Sequence, residues 1–560
     1  MAKILEMHER KIAYFTMEVG FDPAIATYSG GLGILAGDTL KSCADLNVPI
    51  VGITLLNRFG YFDQSLDSSG NQTEKPVVWQ IDRYMKRSDK VVEVQIEDRT
   101  VKIGAWEYTV VGERGFCVPV YFLDTNIDGN NDYDRTLTNS LYGGDRQYRF
   151  CQEIVLGIGG VRMLDALGYY GIEKYHMNEG HAALATIELL HKFKFDYDHV
   201  REKCVFTTHT PVEAGHDTFD VWLVGKLIKD YYPWQSKLAE HNGQFNMTYL
   251  ALNLSNYVNG VAKKHRDVSM HMFPGREIHA ITNGIHAATW TSPSFAALFD
   301  KYIPDWRHDP FSLRSALSIP DEDILRAHAE NKRVLVDMIN AKYTAGFDTA
   351  VFTIGFARRS TAYKRADLLF TDVNWLKAIA QRAGKIQIVY GGKAHVSDGQ
   401  GKDMIRHLFD IKNSINHDSG GNIKMVYVEN YDMALAKKLV AGVDIWLNTP
   451  QRPLEASGTS GMKAAVNGVP QFSVLDGWWI EGYIESKTGW SIGPLKVDDV
   501  DDSYEDAKDL YTKLENQILP MYYKDNWKWN SMMRHSISMN GSYFNTHRMV
   551  QQYVTNAYFR

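Results

Sequence analysis

The sequence predicts an α/β protein built on two doubly wound, Rossmann-like parallel sheets, and three observations predict it. Short β-rich runs at 11–17, 49–55, 204–208, 278–282, 351–356, 386–390, 424–428, 444–447 and 471–474 alternate with longer helical patterns, as parallel α/β sheets require. Polar motifs follow almost every run, and doubly wound sheets bind ligands beyond the carboxyl ends of their strands. At 560 residues the chain is too long for one ordinary core.

Taken in order, the first group of strands occupies about 1–290. Glu18 follows the run 11–17, and Gly30-Gly31-Leu32-Gly33 opens a helix through 38–41, where backbone N–H groups approach an anion closely. Asn178-Glu179-Gly180-His181 follows a strand ending at Met177, His209-Thr210-Pro211 follows 204–208, and Asn283-Gly284 follows 278–282. The segment 291–345 reads as a helical connection broken by Pro304, Pro310 and Pro320. A second sheet spans 346–520, with Arg358-Arg359 after 351–356 and Gly391-Gly392 after 386–390. The Trp- and Tyr-rich stretch 521–560 is expected to form helices packing back across a cleft between the two domains.

Composition narrows the function. A net charge of −6 without a long basic run argues against a nucleic-acid partner. No apolar stretch approaches the roughly 20 residues a membrane span needs, and the charged N-terminus lacks the apolar run of a signal peptide, so a cytoplasmic protein is expected. Cys43, Cys117, Cys151 and Cys204 have neither metal-like nor disulfide-framework spacing. His176, His181, His209 and His216 lack an HExxH pattern, so no metal site is expected.

The chemistry concentrates in 455–468. Gly458, Thr459, Ser460 and Gly461 place unhindered N–H groups and hydroxyls at a helix N-terminus, with Lys463 on its first turn. An anion-binding turn beside a desolvated lysine suits a phosphorylated cofactor linked through an amine, and pyridoxal phosphate fits both halves. A Gly-rich strand-to-helix connection with an ordinary surface lysine is the plainer alternative. Arg359 and Lys364 are spaced to clamp a phosphate by fork and point charge. No second carboxylate is marked out beside Glu455, as a glycosidase would need.

The segment Glu455-Ala-Ser457-Gly458-Thr459, followed by Gly461-Met-Lys463 and Asn467-Gly468, resembles the cofactor-lysine segment of the glycogen and α-glucan (maltodextrin) phosphorylases. The resemblance recurs at Ser29–Gly33, Asn178–His181, Asn283–Ile285 with Trp290, Arg358-Arg359 with Tyr363-Lys364-Arg365, 391–394 and 429–431. It implies two Rossmann-like domains facing across a cleft, the GT-B type, and reversible transfer of a terminal α-1,4-linked glucosyl unit to inorganic phosphate with retention. It further implies pyridoxal phosphate on Lys463, with Arg358 near the cofactor phosphate and Tyr431 and Trp290 packing around its ring. Arg359 and Lys364 would hold the substrate phosphate, and His181, Asn283 and Glu455 the sugar. Gly31, Leu32, Gly33, Ser457 and Gly458 would complete the substrate contacts. α-1,4-Glucan and phosphate are the implied partners, and a homo-oligomer is compatible with the resemblance.

The chain departs from the larger phosphorylases by its length, by starting its first strand near residue 11 and by Ala288-Thr289 in place of a basic pair. Regulation by an N-terminal extension is therefore not expected. Two rival readings stay open at this point: a nucleotide-sugar glucan synthase of the same fold, against which Tyr28-Ser29 stands where a lysine is common, and a non-catalytic glucan-binding homologue.

Overall fold

The computed structural model describes residues 5–495 and 502–559 and resolves into two compact units. The first takes the chain as far as Phe62, then Pro76–Thr282 and the end from Thr546, while the second takes Asp63–Lys75 and Asn283–Asn545. The units part at Thr282, where the sequence places a divide at about 290.

A nine-stranded sheet forms the first unit. Its strands are β1 (Ile12–Thr16), β2 (Ile50–Leu55), β3 (Lys86–Ile96), β4 (Arg99–Val111), β5 (Cys117–Asp124), β6 (Lys174–Asn178), β7 (Cys204–Thr207), β8 (Tyr257–Gly260) and β9 (His279–Ala280), in the spatial order β9-β8-β7-β6-β1-β2-β5-β4-β3. Pairing is parallel from β9 to β5, and β4 and β3 add an antiparallel edge hairpin. Successive side chains point to opposite faces, so Phe15, Ile53, Leu123 and Met177 join one apolar cluster and Tyr14, Ile50, Val120 and Val205 another. Both faces are covered, which is why β1 and β2 are buried throughout and read as apolar runs. The helix Gly31–Asp45 and the terminal helix Thr546–Tyr553 cover the second face. Tyr558 and Tyr553 anchor that terminal segment, the first through its hydroxyl to His176 Nδ1 at 2.7 Å and the second to Thr207 Oγ1 at 3.0 Å.

Strands β3, β4, β5 and β8 are absent from the sequence-based assignment, for physical reasons. The β3–β4 hairpin is charged and largely one-sided, with a register shift between Arg87 and Val91. Pro119 interrupts the apolar run of β5, and a proline demotes a strand pattern.

The second unit carries β10 (Phe352–Ala357), β11 (Ile386–Gly391), β12 (Ile423–Val428), β13 (Ile445–Asn448), β14 (Gln471–Val474) and β15 (Gly489–Ile492). All are parallel, in the order β12-β11-β10-β13-β14-β15. This is the 3-2-1-4-5-6 order of the Rossmann fold. The stretch 291–345 belongs to this unit, with helix Pro293–Tyr302 ending before Pro304 and Pro320 capping helix Asp321–Tyr343. Of the terminal stretch 521–560, the part up to Asn545 belongs to the second unit and the remainder to the first. A hairpin of Asp63–Leu66 and Gln72–Lys75 also joins the second unit, held by Gln64 Nε2 donating to Gly392 O at 2.9 Å and Gln72 Nε2 to Ala394 O at 2.8 Å. No helix among the described residues is long and apolar enough to cross a membrane.

Candidate active site

In the second unit the strand order reverses between β10 and β13, so the crevice beyond Ala357 and Asn448 is where such a sheet receives a ligand. Three charged side chains meet there. Arg358 Nη2 donates to Oε2 of Glu455, and Lys364 Nζ donates to the same oxygen at 2.8 Å. Glu455 is 7% exposed, and burial alone would raise its carboxyl, but the charges of Arg358 and Lys364 outweigh burial and bring it down to about 2. Arg358 Nη1 is buried without a hydrogen-bond partner, so the guanidinium keeps a donor for a second anion. The sequence pairs Arg359 with Lys364, whereas the structure brings Arg358 and Lys364 together on Glu455 and leaves Arg359 exposed. Consecutive residues leaving a strand point to opposite sides, which separates the two arginines.

Arg365, the next residue after the clamp lysine, has a different task. Its guanidinium donates to Thr449 O at 3.0 Å, Pro450 O at 2.9 Å and Asp506 Oδ2 at 2.7 Å, while Arg452 Nη2 donates to Asp506 Oδ1 at 2.9 Å. Asp506 is fully buried. The loops leaving β10 and β13 are thereby tied together behind Lys364 and Glu455.

Lys463 lies on helix Thr459–Val466, which starts after Gly458 at φ 90°, a conformation only glycine adopts without strain. The lysine is buried, with Nζ 4.2 Å from the centroid of Trp290. Asn467 sets this contact by donating to Trp290 O at 2.9 Å and Lys463 O at 2.8 Å while accepting from Ser292 N at 2.7 Å. Ser457 Oγ is buried without a partner, and Ser460 Oγ accepts from Trp446 Nε1 at 3.1 Å. Tyr431 is half-buried against the apolar cluster that includes Trp446 and Ala464. Asn283 is buried within this unit, where Gly284 passes so close to Asn545 that a Cβ would sit 2.3 Å from its backbone.

In the first unit the order reverses between β1 and β6, and the groups beyond Thr16 and Asn178 form a second polar cluster. Glu18 accepts from Ser29 N at 2.5 Å, Gly30 N at 3.2 Å and Tyr142 OH at 2.8 Å. The sequence offers the Gly30–Gly33 backbone to an anion, yet the first of these N–H groups is bound to a carboxylate; Gly31 is exposed, Leu32 half-buried and Gly33 buried. Gly33 and Gly37 serve packing: Gly20 N donates to Gly33 O at 2.8 Å, and a Cβ on Gly37 would lie 1.9 Å from Gly20 O.

His181 stands 3.4 Å from Asp217 Oδ2 and edge-on to Tyr142. Burial and the nearby Arg149 lower its imidazole to about 4, so it is neutral at physiological pH. Arg149 donates to Asp217 Oδ2 at 2.7 Å and to Glu153 Oε1 at 3.1 Å, and lies over Tyr142 at 4.4 Å. Arg149, Asp217 and Tyr142 were not legible in the sequence, since each sits apart from the motif it supports. Nor was Glu18 legible as the partner of the glycine turn. The other histidines that might suggest a metal are engaged with protein: His176 with Tyr558, His209 with Asn178 and His216 with Thr248.

The profile of the carbohydrate phosphorylase family matches residues 16–142 and 234–490. The chain belongs to the carbohydrate phosphorylase family. It is 39% identical to a maltodextrin phosphorylase of Thermococcus litoralis, over 98% of this chain and 70% of that protein. A glycogen phosphorylase of Aquifex aeolicus is 35% identical over 100% of this chain and 87% of its own length, and one of Mycobacterium tuberculosis is 34% identical over 98% and 70%. Phosphorylases of this family are glycosyltransferases of the GT-B type, and the two parallel sheets described above are the two Rossmann-like domains of that type.

Proposed function

We propose that this phosphorylase transfers the terminal α-1,4-linked glucosyl unit of a glucan reversibly to inorganic phosphate, giving α-D-glucose 1-phosphate with retention. The observation that carries the reading is the buried cluster of Arg358, Lys364 and Glu455 at the switch point of the second sheet, continuous in sequence with the helix that bears Lys463. Named maltodextrin and glycogen phosphorylases similar over nearly the whole chain support it.

The residues present fit pyridoxal phosphate. Lys463 is a buried amine against an indole, Ser457 Oγ and Arg358 Nη1 are buried donors without partners, and the helix Thr459–Val466 opens on a glycine. Lys463 would hold the cofactor, Trp290 and Tyr431 would flank its ring, and Arg358 with Gly458, Thr459 and Ser460 would hold its phosphate. When bound, the cofactor supplies a phosphate able to exchange a proton with the substrate phosphate.

Arg359 and Lys364 would orient the substrate phosphate, whose proton passes to the leaving glucan oxygen. Lys364 also neutralises charge, so that two phosphates approach one another despite repulsion. His181, being neutral, acts as a hydrogen-bond partner for a sugar hydroxyl and not as an acid. Asn283 and Glu455 would hold further hydroxyls, with Gly31, Leu32, Gly33, Ser457 and Gly458 lining the substrate.

The test is glucose 1-phosphate formation from maltodextrin and phosphate, together with an absorbance spectrum before and after alkaline denaturation. Phosphate-dependent product and released pyridoxal phosphate are expected, with Lys463→Ala colourless and inactive. Glucosyl transfer that needs a nucleotide sugar, by protein lacking the cofactor absorbance, would overturn the proposal in favour of a synthase.

A further inference from the structure

Glu455 lies in the turn 455–458, and that turn is gripped from the side by the end of β14. Asp476, 3% exposed, accepts the Glu455 backbone N–H on Oδ2 at 2.8 Å and the Gly477 N–H on Oδ1 at 2.8 Å. Trp478 N completes the grip by donating to Ser457 O at 2.9 Å. Gly477, at φ 53°, lies so close that a Cβ would sit 2.5 Å from Ser457 O and 3.0 Å from Glu455 O. The turn therefore has little freedom to move relative to β14 without breaking the Glu455 N–H bond to the buried Asp476 carboxylate or the Trp478 N–H bond to Ser457 O.

We propose that Asp476 is a positioning residue of this site, holding the Glu455–Gly458 turn so that the Glu455 carboxylate stays between Arg358 and Lys364. It acts through the backbone of Glu455, whose N–H it accepts. Three further observations fit. Burial raises the Asp476 carboxyl to about 7, with the N–H from Glu455 opposing that rise and the Glu455 charge adding to it. Burial makes this carboxylate costly to ionise, and both of its oxygens are engaged as acceptors. Gly458, at the far end of the turn, passes close to the Glu455 side chain, since a Cβ there would lie in ordinary contact with Glu455 Cγ at 3.5 Å. Finally, the same turn precedes Lys463, so a shift at 455 is passed directly to the helix N-terminus.

This inference deepens the phosphorolysis reading and rests on it for its kinetic arm. The experiment compares Asp476→Asn and Asp476→Ala with wild-type holoenzyme by steady-state kinetics in inorganic phosphate and maltodextrin, and by amide hydrogen exchange. Asparagine keeps one acceptor oxygen and a similar volume, whereas alanine removes both acceptors. The expected result is a rise in phosphate KM of about ten- to hundredfold for alanine, the order that a displacement near 1 Å produces, with a smaller rise for asparagine; maltodextrin KM, to which Glu455, Ser457 and Gly458 contribute, should rise as well. Exchange should increase across 455–458 and stay unchanged in β10 and β13. Unaltered phosphate KM in a folded variant, or unchanged exchange across 455–458, would overturn the proposal. Should alanine fail to fold, the asparagine variant decides on the same criteria. If wild-type enzyme shows no phosphate-dependent cleavage, the phosphorolysis reading fails separately. Exchange then decides alone, and unchanged protection of 455–458 in Asp476→Asn overturns the positioning role.

Discussion

The residue most exposed to test is Lys364, because it shares one buried carboxylate oxygen with Arg358. Removing a charge-assisted contact to a dianion costs about 1.5–3 kcal/mol, so Lys364→Ala should lower kcat/KM for phosphate about ten- to hundredfold. Steady-state rates across a phosphate series check this, and an unchanged phosphate dependence would misplace the clamp. Glu455 makes a second prediction. Its carboxyl is held at about 2 against an ordinary 4.5, so the stability it contributes is fully present above pH 4.5 and is lost as pH falls through 2. The difference corresponds to about 3 kcal/mol. Urea unfolding between pH 5 and pH 2.5 should show Glu455→Gln losing less stability than wild type over that window. Lys463, Arg358, Lys364 and Glu455 were all legible as motif residues. Which arginine meets Glu455 was not, since adjacent residues of a chain become opposed only once a strand sets their directions.

At the scale of elements, the loops after β10 and β13 depend on the buried Arg365–Asp506–Arg452 group. Removing the shared anion strands two buried guanidinium groups, and breaking a buried pair costs about 3–5 kcal/mol. Asp506→Ala should therefore lower the denaturation midpoint markedly, and a shift no larger than that of a surface mutation would show the group to be dispensable. Asp506 could not be assigned from sequence because it lies on a helix far along the chain from both arginines. The glycine turn of the first unit was legible as a helix start, and the helix does begin at Gly31. Its glycines, however, divide between tasks. Gly37→Ala would press a methyl against Gly20 O, and overpacking of this kind costs about 1–3 kcal/mol. Thermal unfolding should register that loss, whereas Gly31→Ala, with open space at its Cβ, should be far milder.

At the scale of the whole molecule, the chain's end returns to the first unit. Met549, Val550, Tyr553 and Tyr558 are buried in the cluster formed by β1, β2 and helix Gly31–Asp45. Fully burying one such side chain contributes about 1.5–3 kcal/mol, so deleting 546–560 should cost at least roughly 6 kcal/mol. Limited proteolysis of the truncated protein should cut first within Pro76–Thr282, and an unchanged digestion pattern would contradict the packing argument. Acid should act on the same unit. His176 and His265 are buried and lowered by burial to about 3 and about 4, so they stay neutral in the folded state while the unfolded chain takes up protons below about 6.5. Stability is therefore lost as pH falls from 6.5 toward 4, and His265→Asn should flatten that fall in unfolding curves measured across the window.

By itself the sequence determined the fold class, the nine parallel-type strand runs it marked, and the chemistry of the 455–468 segment, because strand period, turn composition and helix-start residues are properties of neighbours along the chain. Only the tertiary structure decided that Asp63–Lys75 belongs with the second unit, that Glu18 binds the Ser29 and Gly30 amides, that Asp217 faces His181 and that Asp476 holds Glu455. Those are meetings of residues from separate strand ends. A buried carboxylate must find its donors wherever the sheet order brings them, and local spacing carries no record of that order.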